Sequence, residues 1–158
     1  MTTATIALAI AFVAPELPKD TVETYASLVR RYAEVSKIDP LLVVALVDNE
    51  SQWNWRAENP TSHARGLMQI MPVHWAEDKD ARPLVTKKRI LPYQPQWNIR
   101  RGCELLRWYL SREDCGGDTR KAICGYNGLR CTECKSRFVD AVLKLYQTLH
   151  ERKEKAQS

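Results

Sequence analysis

Cysteine is absent from the first 102 residues of this 158-residue chain. Any disulfide framework or thiolate metal site is therefore confined to its last third. No internal repeat and no low-complexity stretch occurs apart from a charged tail, ERKEKAQS, which excludes a solenoid or a disordered array. No apolar run approaches the roughly 20 residues that a bilayer-spanning helix needs. Neither sign of charge dominates. The net charge of +5 suits an acidic polymer such as cell-wall glycan with peptide carboxylates, and equally nucleic acid, so charge alone selects neither. With 44% apolar and 27% charged residues the chain is not of disordered composition, and its length fits one domain with a proper core.

The longest apolar stretch near the N-terminus, Ile6 to Ala14, has the character of a secretory-signal core. No Lys or Arg precedes it, and a cut after Ala14 would have Phe12 behind it and Pro15 ahead. Residues 1–15 are accordingly read as a leader, a possible signal or anchor segment for export or for association with a membrane or envelope machine. The competing reading is an apolar segment packed on the domain. Residues 16–150 form the domain, and 151–158 a tail expected to fray.

Five cysteines stand at 103, 115, 124, 131 and 134. Cys131 and Cys134 form a C-x2-C pair that with Cys115 and Cys124 could bind zinc, but zinc ribbons usually carry two such pairs and this chain has one. Disulfides in an oxidising compartment are the preferred reading, with the pairing open. Cys103 lies on the stripe Ile99, Cys103, Leu106, Leu110 and reads as a buried free thiol.

The periodicity is mainly helical. Asp20 with Glu23 resembles a capping box, after which Val22, Tyr25, Val29, Tyr32 and Ala33 share one face. Asp39-Pro40 is an N-cap followed by proline at the first helical position, which favours a helix over 40–51 despite three valines. Being apolar on all sides from Leu41 to Val47, it reads as a buried central helix. Pro60, Pro72, Pro83, Pro92 and Pro95 forbid long helices through 52–96, where loops, short turns or a small β region are expected and where a cleft could form. Helices are predicted again over 96–110, 118–127 and 135–151. The fold class is thus mainly α, a single helical domain with an irregular or small β middle.

Four pieces stand in order: VDNESQWNWRA, ARGLMQIMP, QWNIRRGCELLRWYL, and ICGYNGL with FVDAVLKLY. Together, over roughly residues 22–147, they resemble the lytic transglycosylase catalytic domain with its goose-type-lysozyme-like α+β fold. The resemblance implies cleavage of the β-1,4 bond between N-acetylmuramic acid and N-acetylglucosamine in peptidoglycan, with a 1,6-anhydro product. It places the catalytic glutamate on Glu50, followed by Ser51, the Gly-Leu-Met-Gln segment on residues 66–69, and the Ala-Tyr-Asn element on Gly125, Tyr126 and Asn127. Departures are Trp55 where proline is frequent, Gly125 for alanine, Gln94-Pro95 for Asp-Pro, and a gap from Glu50 to Gly66 about one residue longer than usual. They bear on the shape of the sugar cleft and leave the acid untouched.

The chemistry suits these residues. Protonating a glycosidic oxygen near neutral pH needs a carboxyl whose pKa is raised from about 4.3 toward 6 or 7. Leu46 and Val47 share the helical face of Glu50 and would desolvate it, and the helix C-terminus adds partial negative charge. A second carboxylate is not evident: Asp48 lies about 200° around the helix, and nothing in the spacing of Asp78 or Asp80 demands approach. That fits a route in which the substrate's N-acetyl group assists. Gln69 and Asn127 suit sugar hydroxyls and amides. Tyr126 could hold the N-acetyl group or Glu50, and Ser51 could steady the carboxylate or cap the helix. Met68 is read as a sugar contact or a gap-filler. Trp55 and, less so, Trp53 could stack on pyranose rings; Trp97 and Trp108 are assigned to the core. His63 and His74 lack metal-ligand spacing, and no metal or cofactor is called for. The partner is peptidoglycan, with no nucleic acid; a monomer is expected, periplasmic or exported, in a phage lysis or virion setting or a bacterial secretion machine. The alternatives are a muramidase of the same fold, a zinc-binding nucleic-acid module, and a wall-binding protein without catalysis.

Overall fold

The computed structural model describes residues 1–76, 91–131 and 134–156. Asp78 and Asp80 lie outside them. The described helices are α1 (Thr3–Val13), α2 (Lys19–Ser36), α3 (Pro40–Ser51), α4 (Pro72–Ala76), α5 (Pro95–Ser111), α6 (Thr119–Tyr126) and α7 (Arg137–Lys155), with a 3-10 turn at Leu91–Tyr93. The molecule is mainly α, as expected.

Helix α3 is the axis of the fold. Asp39 caps it through a 2.8 Å bond from the Leu41 N–H to Oδ1. All seven residues from Leu41 to Val47 are buried, enclosed by α1, α2 and α7. A helix with no polar stripe has no face to give to water, so its neighbours must surround it. The predicted face of α2 is buried in full, and Trp53 stacks on Tyr25 from it at 5.8 Å between ring centroids. Helix α2 starts at Lys19 after Pro18 with no side-chain cap, so the capping box expected at Asp20 is absent and Asp20 sits inside the first turn. Its backbone carbonyl accepts from the Thr24 hydroxyl.

Both terminal segments are helical. Residues 3–13 form a helix that buries Ile6 and Ile10 against the domain. The tail is helical through Lys155, and the Arg152 guanidinium lies 3.8 Å from the Phe12 ring centroid. Contact with α1 offsets the fraying expected of a charged terminus.

The stretch after α3 has no regular strand among the described residues, only the bridges Glu58–Arg65 and Arg65–Ile70. Asparagines organise it: Asn54 Oδ1 accepts from the Arg56 N–H, and Asn59 Oδ1 from those of Thr61 and Ser62. These side chains mimic a backbone turn where prolines prevent helix.

Four cysteines pair as Cys115–Cys131 and Cys124–Cys134, which removes the thiolates a zinc site would require. Cys103 is a buried free thiol, its pKa pushed up to about 12 by burial above all. The bridges tie the loop after α5 and helix α6 to the segment before α7. Closing a loop of 16 residues is worth about 3 kcal/mol in chain entropy. A Cys115→Ser/Cys131→Ser double variant should therefore lose about 2–4 kcal/mol in urea unfolding. An unchanged midpoint would show that the bridge adds nothing.

Candidate active site

Glu50 occupies the last turn of α3, partly buried, and desolvation raises its carboxyl pKa from 4.5 to about 8. Burial is the cause. No protein donor bonds to the carboxyl among the described residues, so nothing there stabilises the anion. Asp48, two positions back, is also raised, first by burial, with Trp53 pulling the other way and Glu16 adding to the rise. The Trp53 indole N–H lies near that carboxylate without making a hydrogen bond of good geometry. Asp48 thus faces Trp53 and the α2 side, as its helical angle from Glu50 requires.

Beyond Ser51 the chain turns sharply. Gln52 and Trp53 are both left-handed, at φ 50° and 62°, and Gln69 follows at φ 46°. Each non-glycine residue there costs on the order of 1 kcal/mol and persists only where surroundings fix it. Trp53, buried against Tyr25, supplies that fixing at the turn.

The segment 65–70 is held against α3 by side chains that bond to its backbone. The Ser51 hydroxyl lies 2.8 Å from the Leu67 carbonyl and 3.2 Å from that of Val47, so it joins helix to loop in place of the carboxylate contact considered from sequence. Asn98, fully buried on α5, accepts from the Met68 N–H at 2.7 Å and donates to the Arg65 and Pro92 carbonyls, both at 2.7 Å. The Tyr126 hydroxyl donates to the Met68 carbonyl at 2.7 Å. Gly66, at φ 79°, leaves the space that Asn98 fills: a Cβ there would overlap the amide and the Pro92 carbonyl.

These contacts sort the sequence-predicted residues. Glu50 and Tyr126 come together: the Tyr126 phenol pKa is raised well above its usual value, by burial first and then by the Glu50 charge. Met68 is fully buried, its sulfur filling the gap left by Gly102, so the sugar contact expected of it gives way to packing. Gln69 donates to the Gly66 carbonyl at 3.0 Å and the Ala57 carbonyl at 3.3 Å, bracing the loop with its amide nitrogen. Asn127 caps α6 through its backbone and is exposed. Trp53 and Trp97 are core, whereas Trp108 is 51% exposed with Arg112 over its ring, which corrects its assignment to the core. Trp55 is 40% exposed beneath Arg56. His63 stands 3.7 Å from Glu58, whose oxygens are taken by Arg65 and Tyr93.

Asn98 escaped the sequence reading as a functional residue. An asparagine one turn into an amphipathic helix is ordinary; its single signal was its place in the segment QWNIRRGCELLRWYL that carries part of the family resemblance. Gly125 also gains a reason. The Tyr109 ring lies where its Cβ would be, so glycine in place of alanine lets that ring close against α6.

Two outcomes follow. Asn98→Ala leaves the buried Met68 N–H and two carbonyls without their partner and should cost about 3–5 kcal/mol by denaturant unfolding; a loss under about 1 kcal/mol would mean that the loop is held otherwise. The Glu50 carboxyl has a higher pKa folded than its ordinary value. The protonated acid therefore favours folding below pH about 4.5, and that contribution is lost as pH rises toward and through about 8. Glu50→Gln should accordingly be more stable than the parent at pH 9 by a few kcal/mol (~2–5), with the gap closing near pH 4. A pH-independent difference would place the carboxyl in water.

A profile of the Transglycosylase SLT domain family matches residues 27–135, from α2 through the second disulfide-linked segment. That span includes Glu50, the 65–70 loop, Asn98 and Tyr126. The match covers most of the chain and agrees with the helical architecture just described. This chain belongs to the transglycosylase SLT family, whose members are peptidoglycan lytic transglycosylases cleaving glycan strands.

Proposed function

We propose that this enzyme cleaves the β-1,4 bond between N-acetylmuramic acid and N-acetylglucosamine with Glu50 as its single general acid and base, releasing a 1,6-anhydro end. The observation that carries the reading is the partly buried carboxyl of Glu50, raised by desolvation, with Tyr126 within reach of its charge. Protonated at neutral pH, it donates to the departing glycosidic oxygen. The substrate's N-acetyl oxygen stabilises the positive anomeric carbon as that bond breaks. Glu50, now an anion in a setting that disfavours it, takes the proton of the sugar 6-hydroxyl, whose oxygen attacks the anomeric carbon and closes the anhydro ring. The proton count balances, and Glu50 ends as it began.

Supporting roles fall to the groups at the edge of this setting. Tyr126, with its hydrogen donated to Met68, keeps lone pairs directed to accept from substrate. Asn127 and the Gln69 carbonyl offer amide chemistry matched to sugar hydroxyls. Trp55 presents an exposed ring for a pyranose face. The two disulfides fit an oxidising, extracytoplasmic setting, where the substrate lies. A phage lysis or secretion-machine context is consistent with it.

Mass spectrometry of digested sacculi tests the proposal, with products expected one water lighter than hydrolysed ends. Glu50→Gln should fold yet lose about 10²–10⁴-fold in rate. Activity of the parent should fall above pH about 8 as the acid ionises. Products uniformly heavier by one water would instead make the enzyme a muramidase of the same fold.

A further inference from the structure

At the end of α3 remote from Glu50, helices α1 and α7 enclose an open groove of about 530 Å³. Its floor is apolar, formed by Leu8, Phe12, Leu41 and Leu149, and its polar wall includes Arg152 and Lys153. Lys155 also lines it, and among the described residues no acidic one does. Helix α1 is apolar all round, yet it buries only Ile6 and Ile10 fully; Leu8 is 70% exposed and Phe12 43%. Such a helix leaves its second face unpartnered, and its 11 residues are too few to cross a bilayer.

The end of α7 supplies the complement. Leu149, Arg152, Lys153 and Ala156 follow the spacing of one helical stripe, while Glu151 and Glu154 fall on the opposite side. Arg152 and Lys153 have no carboxylate partner among the described residues. Arg152 lies over Phe12, which places a cation beside the most exposed aromatic of the floor.

We infer that this face docks on the surface of an anionic phospholipid bilayer, with Leu8 and Phe12 entering the headgroup–acyl boundary and Arg152 and Lys153 meeting lipid phosphates. Exposed Leu and Phe beside Lys and Arg are the pairing by which interfacial helices bind such surfaces. A folded protein partner would need directed donors and acceptors. Here Thr5 is the lone uncharged polar side chain lining the groove among the described residues, and mobile anions need only charge. Leu41 in the groove and Glu50 are nine residues apart on one helix, about 14 Å along its axis, so docking here leaves the Glu50 end of the helix uncovered. The inference is independent of the proposed catalytic cycle.

Sedimentation of the full chain with vesicles tests it. Binding is expected to phosphatidylcholine vesicles containing phosphatidylglycerol, and much less to phosphatidylcholine alone. The Arg152→Gln/Lys153→Gln variant should bind about thirtyfold more weakly, and the Leu8→Ser/Phe12→Ser variant should lose binding. Leu8, Phe12 and Arg152 are exposed and Lys153 is half-buried, and circular dichroism verifies that each variant folds. Failure of the parent to bind, equal binding to both vesicle types, or binding unchanged in either variant overturns the inference. A concentration-dependent dimer in light scattering, abolished by Leu8→Ser/Phe12→Ser with no vesicle binding, would assign the face to a second copy and likewise overturn it.

Discussion

A carboxyl kept from water at the end of a helix buried on every side is the constraint on which the rest of this structure depends. Burying an ionisable group disfavours its charged form, and a chain with only a marginal stability margin tolerates that cost at few positions. Here the burial of α3 makes it possible. Seven consecutive apolar residues commit the helix to the interior, so its last turn arrives at the edge of the core with low-dielectric surroundings already built. The acid needs no charged neighbour to raise its pKa; packing does so. The same packing brings Tyr126 within reach of the Glu50 charge, which adds to burial in disfavouring ionisation of the phenol.

The loop that faces this acid is irregular in backbone but not loosely held. Ser51, Asn98 and Tyr126 reach it from three different helices and bond to its peptide groups. Side chain to backbone bonds serve where no strand partner exists, because buried N–H and C=O groups must find partners somewhere. Polar residues that look like substrate ligands in a linear reading therefore serve partly as scaffold. Left-handed residues at 52, 53 and 69 mark the same place as one where the fold sustains strain.

The molecule divides along α3. One end carries the acid and the braced loop. The other carries Asp39, whose second carboxylate oxygen accepts from Tyr146 at 3.1 Å and lies 2.9 Å from His150 on α7. One aspartate thus starts the central helix and ties α7 to it. The apolar groove between α1 and α7 lies at this end, away from the chemistry.

Much of this was legible in advance. Asp39-Pro40 and the apolar run specified α3 to the residue, because capping and helical patterning act locally. The faces of α2 and α5 followed from their period, and Cys103 from its place on one of them. The α2 start was misread because Pro18 already sets the entry, leaving Asp20 one position too deep to cap. Trp108 shares the spacing of a core residue but lies on the outward side of α5. Which cysteines pair, that Met68 packs on Gly102, and that Asn98 holds the loop all required distant segments to meet. By itself the sequence determined the helices and the apolar residues that desolvate Glu50, since each depends on residues a few positions apart. Only the tertiary structure decided what surrounds Glu50 and which polar groups bond to backbone, because burial and hydrogen-bond partners are set by distant chain segments, Tyr126 and Met68 being 58 residues apart and Asp39 and His150 111.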